Sequence, residues 1–160
     1  MARRDEVSAG LLVFRRAPKL AVLLGHPGGP YWSNKDDGAW SIPKGLVEGD
    51  SALLAAAQRE FTEETGFEAP GPFVPLQPVT MKSGKIVHAW AFEADFNAQS
   101  FTSGTFEMEW PPRSGRRAQF PEIDRLQWFV FGNALRKIIS YQQPFLMELK
   151  QLLEGSAKRA

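Results

Sequence analysis

Apolar and polar positions along the chain change their spacing several times, and each change marks an element. Residues 7–16, VSAGLLVFRR, and 19–25, KLAVLLG, are short apolar runs bounded by polar or turn residues. They predict two strands, the second buried, joined by a hairpin turn at APK. HPGGPYWSNKDDG is dense in Gly, Pro, Asn and Asp and predicts a loop. AWSIP predicts a short strand and KGLVEGD a further loop. From 51 to 65 the spacing becomes helical. ALLAAAQREF is rich in good helix formers, and Leu54, Ala57 and Phe61 recur three and four apart as an apolar stripe. Asp50 or Ser51 supplies a short side-chain oxygen for the N-cap. Gly66 suits the left-handed residue that ends a helix, and Phe67 is placed to fold back onto Phe61.

Further along, EAPGPFVPLQP reads as loop or sheet edge. VTMKSGKIVHAWAFEADF predicts two strands around a turn at Ser83-Gly84. In the second, Ile86, His88, Trp90 and Phe92 alternate with Val87, Ala89 and Ala91, so both faces are apolar enough to be buried. Residues 97–121 show no period. A loop of that length inside a domain is usually functional or mobile. LQWFVF predicts a last strand, and GNALRKII and QPFLMELKQLL two helices, with Pro144 near the start of the second. EGSAKRA reads as a frayed tail. There are no repeats, linkers or low-complexity stretches. The order strands, helix, strands, helices predicts one domain over residues 1–160 of the α/β (α+β) class, a mixed β-sheet sandwiched between helices.

Composition narrows the function without naming it. Hydrophobic residues make up 43% and aromatics 12% of the 160 residues, enough for a core. With 19 basic and 18 acidic residues the formal charge is +1, so bulk charge provides no argument for nucleic acid or an anionic membrane. The absence of cysteine removes disulfides, thiolate metal sites and a cysteine nucleophile, and is consistent with a cytoplasmic protein. The run GLLVF is cut by Arg15 and Arg16, so no signal peptide or membrane span is expected.

One feature works against its own helix. In REFTEETGF, Glu60, Glu63 and Glu64 share a face just before Gly66. Like charges four apart cost roughly 0.2–0.5 kcal/mol, and acids in a last turn face the negative end of the helix dipole. Such breaks concentrate at functional sites. A solvated helix end shielded by Arg59 is one reading. The other is a site for a hard cation, because Mg²⁺ and Mn²⁺ prefer oxygen ligands. WSIPKG supplies Lys44, a point charge for phosphate, and Gly45, whose backbone can approach an ion closely.

These residues resemble the Nudix hydrolase signature: Gly, five residues, Glu, seven residues, Arg-Glu-apolar-any-Glu-Glu-any-Gly-apolar. Gly45, Arg59, Glu60, Phe61, Glu63, Glu64, Gly66 and Phe67 match eight of its nine fixed positions, and Ser51 stands where the signature has Glu, with Asp50 one residue early. The resemblance implies the Nudix fold over most of the chain. It implies that Glu60, Glu63 and Glu64, with the Gly45 carbonyl, hold Mg²⁺ or Mn²⁺, and that Arg59 orients the glutamates. It also implies attack of water on a phosphorus of an X–O–P–O–P substrate. The carboxylate that positions or deprotonates the water is Glu63 or Glu64, or an acid from a later loop, where TFEMEWPP offers Glu109 and Glu107 two apart. Members of the family are often homodimers.

Other residues carry weaker signals. Arg113 and Arg116 in RSGRR are candidates for phosphate contacts, although a solvated basic loop has the same composition. Tyr31, Trp32 and Trp40 are candidates to stack on a base, and at least one is expected in the core. His26 and His88 are the only histidines and are read as structural. WSIPKGLVE resembles the loop of diadenosine tetraphosphate hydrolases and their diphosphoinositol-cleaving relatives. The whole chain resembles a bacterial group of predicted nucleoside-triphosphate pyrophosphohydrolases. A nucleotide polyphosphate is therefore the expected substrate and small-molecule partner. ADP-ribose or another sugar nucleotide, or a module that binds nucleotide without cleaving it, are the alternatives.

Overall fold

Strand β1 (Val7–Arg15) sets the layering. Ala9, Leu11 and Val13 are buried on one of its faces and Leu12 and Phe14 on the other. Successive side chains of a strand point to opposite faces, so β1 must be covered from both sides. The protein is described here from a computed structural model, over residues 6–48 and 52–159 with side chains to 155.

β1 pairs antiparallel with β2 (Ala21–Pro27) and, along the other edge, parallel with β6 (Ile86–Glu93) from Val7↔Ile86 to Phe14↔Glu93. β9 (Ile123–Val130) extends the sheet beyond β2, and β4 (Val74–Pro75) closes the edge beyond β6. The order is β4-β6-β1-β2-β9, with β3 (Lys44–Leu46) paired to β1 and β5 (Val79–Thr80) to β6. Helix α1 (Leu53–Thr65) covers one face through Ala56, Ala57 and Phe61. Helices α2 (Phe131–Lys137) and α3 (Gln143–Arg159) cover the other, where Ala134, Phe145, Leu146 and Leu149 meet Leu12, Val22, Leu24 and Trp40. Each fully buried Leu or Phe contributes roughly 1.5–3 kcal/mol against its exposed state. This is the mixed sheet sandwiched between helices that the order of elements predicts. Among the described residues no helix is long and apolar enough to cross a membrane.

Several local expectations change. The strand expected at AWSIP falls later, at Lys44–Leu46, and Trp40 and Ser41 make only isolated bridges to Ile138 and Gly25. The N-cap of α1 is Ala52, which offers no side-chain oxygen; Asp50 and Ser51 lie outside the described residues. Phe67 stacks on Phe96 with centroids 4.6 Å apart, and it is Phe96 that touches Phe61. The stretch 97–121 is not one loop. It holds a 3₁₀ turn at Ala98–Ser100 and an antiparallel hairpin of β7 (Thr105–Glu109) and β8 (Arg117–Pro121). The last strand begins at Ile123, ahead of LQWFVF, and Phe131 already belongs to α2. The expected tail is helical to Arg159, because Ala, Lys and Arg sustain a helix and one glycine costs only about 1 kcal/mol.

Candidate active site

The end of α1 is built to hold its glutamates still. Gly66 takes φ 80° and its N–H reaches the Thr62 carbonyl at 2.8 Å, a conformation open to glycine at little cost. Thr65 is buried; its Oγ1 donates to the Phe61 carbonyl at 2.7 Å and accepts from the Phe67 N–H at 3.1 Å. Phe61, fully buried, orients the helix. At about 100° per residue, Glu64, Glu60 and Glu63 stand about 60°, 100° and 160° around the axis from it. Their exposure follows that order: Glu64 and Glu60 are partly buried and Glu63 is exposed.

Strand β3 comes up beside this face. Its pairing Gly45↔Ala9 on β1 brings the Gly45 backbone so close that a Cβ there would overlap the Glu60 carboxyl group. The fourth acid arrives through a backbone ladder. The Gly104 N–H reaches the Glu63 carbonyl at 2.9 Å, the Glu122 N–H reaches Gly104 at 2.8 Å, and the Gly28 N–H reaches Glu122 at 3.0 Å. Glu122 is thereby stitched to the helix end. Glu48, Glu60, Glu63, Glu64 and Glu122 line one cavity of about 360 Å³, with Lys44 and Gly45.

The crowding shows in the acidities. Burial, then the Glu60 and Glu122 charges, push the Glu64 carboxyl up to about 8, against a smaller pull from Lys44 and its backbone N–H. Glu64 Oε2 is enclosed and has no hydrogen-bond partner. Glu60 is raised by burial and then by Glu63, and lowered by Arg59, whose Nη2 stands 4.0 Å from Oε1. Glu122, solvent-facing on one side, is raised by partial burial. Among the described residues no three acids or histidines are drawn into a ready-made cage. Like-charged carboxylates repel, so they stand around the cavity. The donors still suit a hard cation: all are oxygens, one is buried without a partner, and glycine keeps the approach clear at position 45.

A second cavity of about 350 Å³ adjoins the first and shares Lys44, Glu64 and Glu122 with it. Away from those charges its wall is formed by Ile42, Ile139, Trp32, Met81 and Tyr141, among others. An apolar pocket opening onto an acidic one is the shape a base joined to a phosphate chain requires, the phosphates reaching the acids through a cation.

The other residues expected from the sequence divide. Lys44, Gly45, Glu60, Glu63 and Glu64 line the acidic cavity, and Trp32 lines the apolar one. Glu109 and Glu107 are not among the residues lining either. Glu109 accepts the Arg113 and Gly115 N–H groups across the hairpin turn, and Glu107 is paired to Arg117. Arg113 and Arg116 sit in that turn and are not among the residues lining either cavity. Tyr31 is 60% exposed and meets Trp110 edge-on. Trp40 is 1% exposed and belongs to the core. His26 is structural: its ring nitrogens face Asp124 Oδ1 at 2.8 Å and the Lys35 carbonyl at 2.7 Å. Glu122 and Tyr141 were not expected. Glu122 follows Pro121 outside any periodic run, and only the backbone ladder places it.

The NUDIX domain family model matches residues 4–149. The chain is 32% identical over 111 residues to the uncharacterised 17.7 kDa protein of the e-segB intergenic region of Enterobacteria phage T4, covering 63% of this chain and 72% of that one. Among solved structures, a C. elegans Ap4A hydrolase binary complex superposes with a TM-score of 0.65 at 20% identity, covering 92% of this chain and 98% of that one. A mutT/nudix family protein from Listeria innocua gives 0.64 at 17%, covering 98% of each. The NUDIX domain of Shewanella oneidensis NrtR, complexed with ADP ribose, gives 0.58 at 16%, covering 96% and 86%. At these identities the structural likeness shows the fold.

Proposed function

The chain belongs to the Nudix family, and from that premise we propose that it is a metal-dependent hydrolase of a phosphoanhydride bond in a nucleoside diphosphate-linked substrate, a nucleoside triphosphate or dinucleoside polyphosphate first. The observation that carries this reading is the pair of adjoining cavities, one apolar and one lined by five carboxylates, sharing Lys44, Glu64 and Glu122.

Glu60, Glu63, Glu64 and Glu122, with the Gly45 carbonyl, would hold Mg²⁺ or Mn²⁺. When bound there, such an ion polarises phosphoryl oxygens and acidifies water. Lys44, at the junction of the cavities, attracts the phosphate chain as a compact charge. Glu64 is the proton acceptor we assign. It lies where the two cavities meet, and its enclosed Oε2 has no competing protein donor. The proton leaves the attacking water for Glu64 as the water oxygen bonds to phosphorus and the phosphoanhydride oxygen departs with the leaving phosphate. Glu107 and Glu109 are engaged within the hairpin and take no part.

The test is release of phosphate, pyrophosphate and nucleotide from a panel of nucleoside triphosphates, dinucleoside polyphosphates and ADP-ribose, with Mg²⁺, Mn²⁺ or EDTA. Metal-dependent turnover lost in Glu63→Gln and Glu64→Gln is expected. No turnover on any member would refute the hydrolase reading and leave a nucleotide-binding module.

A further inference from the structure

Gln142 is a fully buried polar side chain whose bonds determine the direction of every proton around it. Its Oε1 lies 3.0 Å from the Ile42 N–H, and Ile42 N can only donate. The amide oxygen must therefore face Ile42, so both amide protons point the other way. They go to Ser41 Oγ at 2.9 Å and to the Tyr141 hydroxyl at 3.0 Å. Ser41 sends its own proton to the Ile42 carbonyl at 2.8 Å. The Gln142 backbone N–H is anchored on the Ile139 carbonyl at 2.9 Å, which keeps the relay in place.

One proton is left over. A phenolic hydroxyl has one hydrogen to give and accepts well along little more than one direction. That direction is taken by Gln142, so the Tyr141 O–H can only donate, and Tyr141 is part of the wall of the apolar cavity. The polar backbone of this wall is largely spent: Gly25 and Ser41 exchange both of their N–H···O bonds, and the Ile42 carbonyl takes the Ser41 hydroxyl. Away from the charged groups, the other polar side-chain groups on the wall are the Ser41 hydroxyl, which donates to the Ile42 carbonyl and accepts from Gln142, and the indole N–H of Trp32, again a donor.

We propose that Tyr141, oriented by Gln142, is a specificity-determining residue that selects a nucleobase carrying an exocyclic carbonyl over one carrying an amine at the same position. The proposal rests on the nucleotide reading of the apolar cavity. A carbonyl oxygen accepts the Tyr141 proton. An amine in its place sets donor against donor in an apolar site and leaves both unsatisfied, an error sites reject far more strongly than a lost methylene. Guanine, hypoxanthine, uracil and thymine are the favoured class; adenine and cytosine are disfavoured. Gln142 is a positioning residue, and Tyr141 touches the base.

Inosine and adenosine 5′-monophosphates differ at purine position 6 in this way, and their binding is read by quenching of tryptophan fluorescence, Trp32 lining the cavity. The wild type should bind the inosine nucleotide at least about 10-fold more tightly. Tyr141→Phe, which keeps the ring, should bring the two within about 2-fold, and Gln142→Met, which frees the hydroxyl to accept, should do the same. A merely structural role for either residue would weaken both ligands equally and leave the ratio unchanged. An unchanged ratio in Tyr141→Phe, a wild-type preference for the adenosine nucleotide, or no binding of either at millimolar concentration overturns the proposal. Because these are equilibrium measurements, they are read whether or not the protein turns over any nucleotide, and failure of the hydrolase reading shows separately as absent metal-dependent hydrolysis.

Discussion

Replacing Glu64 by Gln should stabilise the metal-free protein at pH 8 while removing its activity. The folded carboxyl titrates at about 8 against an ordinary 4.5. Below pH 4.5 it is protonated both folded and unfolded and contributes no pH dependence. Between pH 4.5 and 8 the unfolded chain loses this proton and the folded chain keeps it, so stability falls as pH rises. Over that interval the limit is about 1.4 kcal/mol per pH unit, or nearly 5 kcal/mol. The carboxyl is enclosed at Oε2 but open to the cavity elsewhere, and water there reduces the effect to about 2–3 kcal/mol. Glutamine keeps the shape, still accepts the Lys44 backbone N–H, and never ionises. The assay is urea unfolding in EDTA, followed by tryptophan fluorescence from pH 4.5 to 8.5. Wild type and Glu64→Gln should coincide near pH 4.5 and separate by about 1 M in midpoint at pH 8, for a slope near 2 kcal/mol per M. Saturating Mn²⁺ should favour the wild type instead, because an ion that binds only the folded state stabilises it by mass action. Parallel curves across the whole pH range, or a less stable mutant at pH 8 in EDTA, would refute the account of Glu64 as a buried carboxyl with one unpartnered oxygen.

Gly45→Ala should lower kcat by 100-fold or more and weaken metal binding measured by calorimetry, because the new methyl group takes the space of the Glu60 carboxyl. Glu122→Gln should cost at least 100-fold in kcat, whereas Glu109→Gln should stay within about 3-fold and lose about 1 kcal/mol of stability with its turn contacts; the opposite order in steady-state kinetics would move the essential acid to the hairpin. His26→Ala should destabilise by about 2–4 kcal/mol in thermal unfolding, since it leaves the Lys35 carbonyl and Asp124 without their buried partner.

The parts of the site that were legible in the sequence are those that lie within one helix. Glu60, Glu63, Glu64, Phe61 and Gly66 follow from spacings of three and four and from the one residue type that ends a helix at little cost. Those relations hold in the chain before it folds. The strand β6 and its turn at Gly84 were legible for the same reason. Lys44 and Gly45 were recognised by type, yet their strand was placed too early, because the apolar residues Trp40 and Ile42 serve the core between α2 and β9 rather than a ladder.

What the tertiary structure alone decided is which distant residues meet the helix. Glu122 and Glu109 are both acids near turns, and nothing local separates them. One is stitched by backbone bonds to the end of α1, and the other is used by its own hairpin. Gln142 reaches Ile42 across 100 residues of chain, and that bond sets which way the Tyr141 proton faces. Periodicity records what a residue does for its own element. The acidity of Glu64, the partner of Glu122 and the polarity of Tyr141 come from neighbours that the chain brings together only by closing the sheet, and they became readable only there.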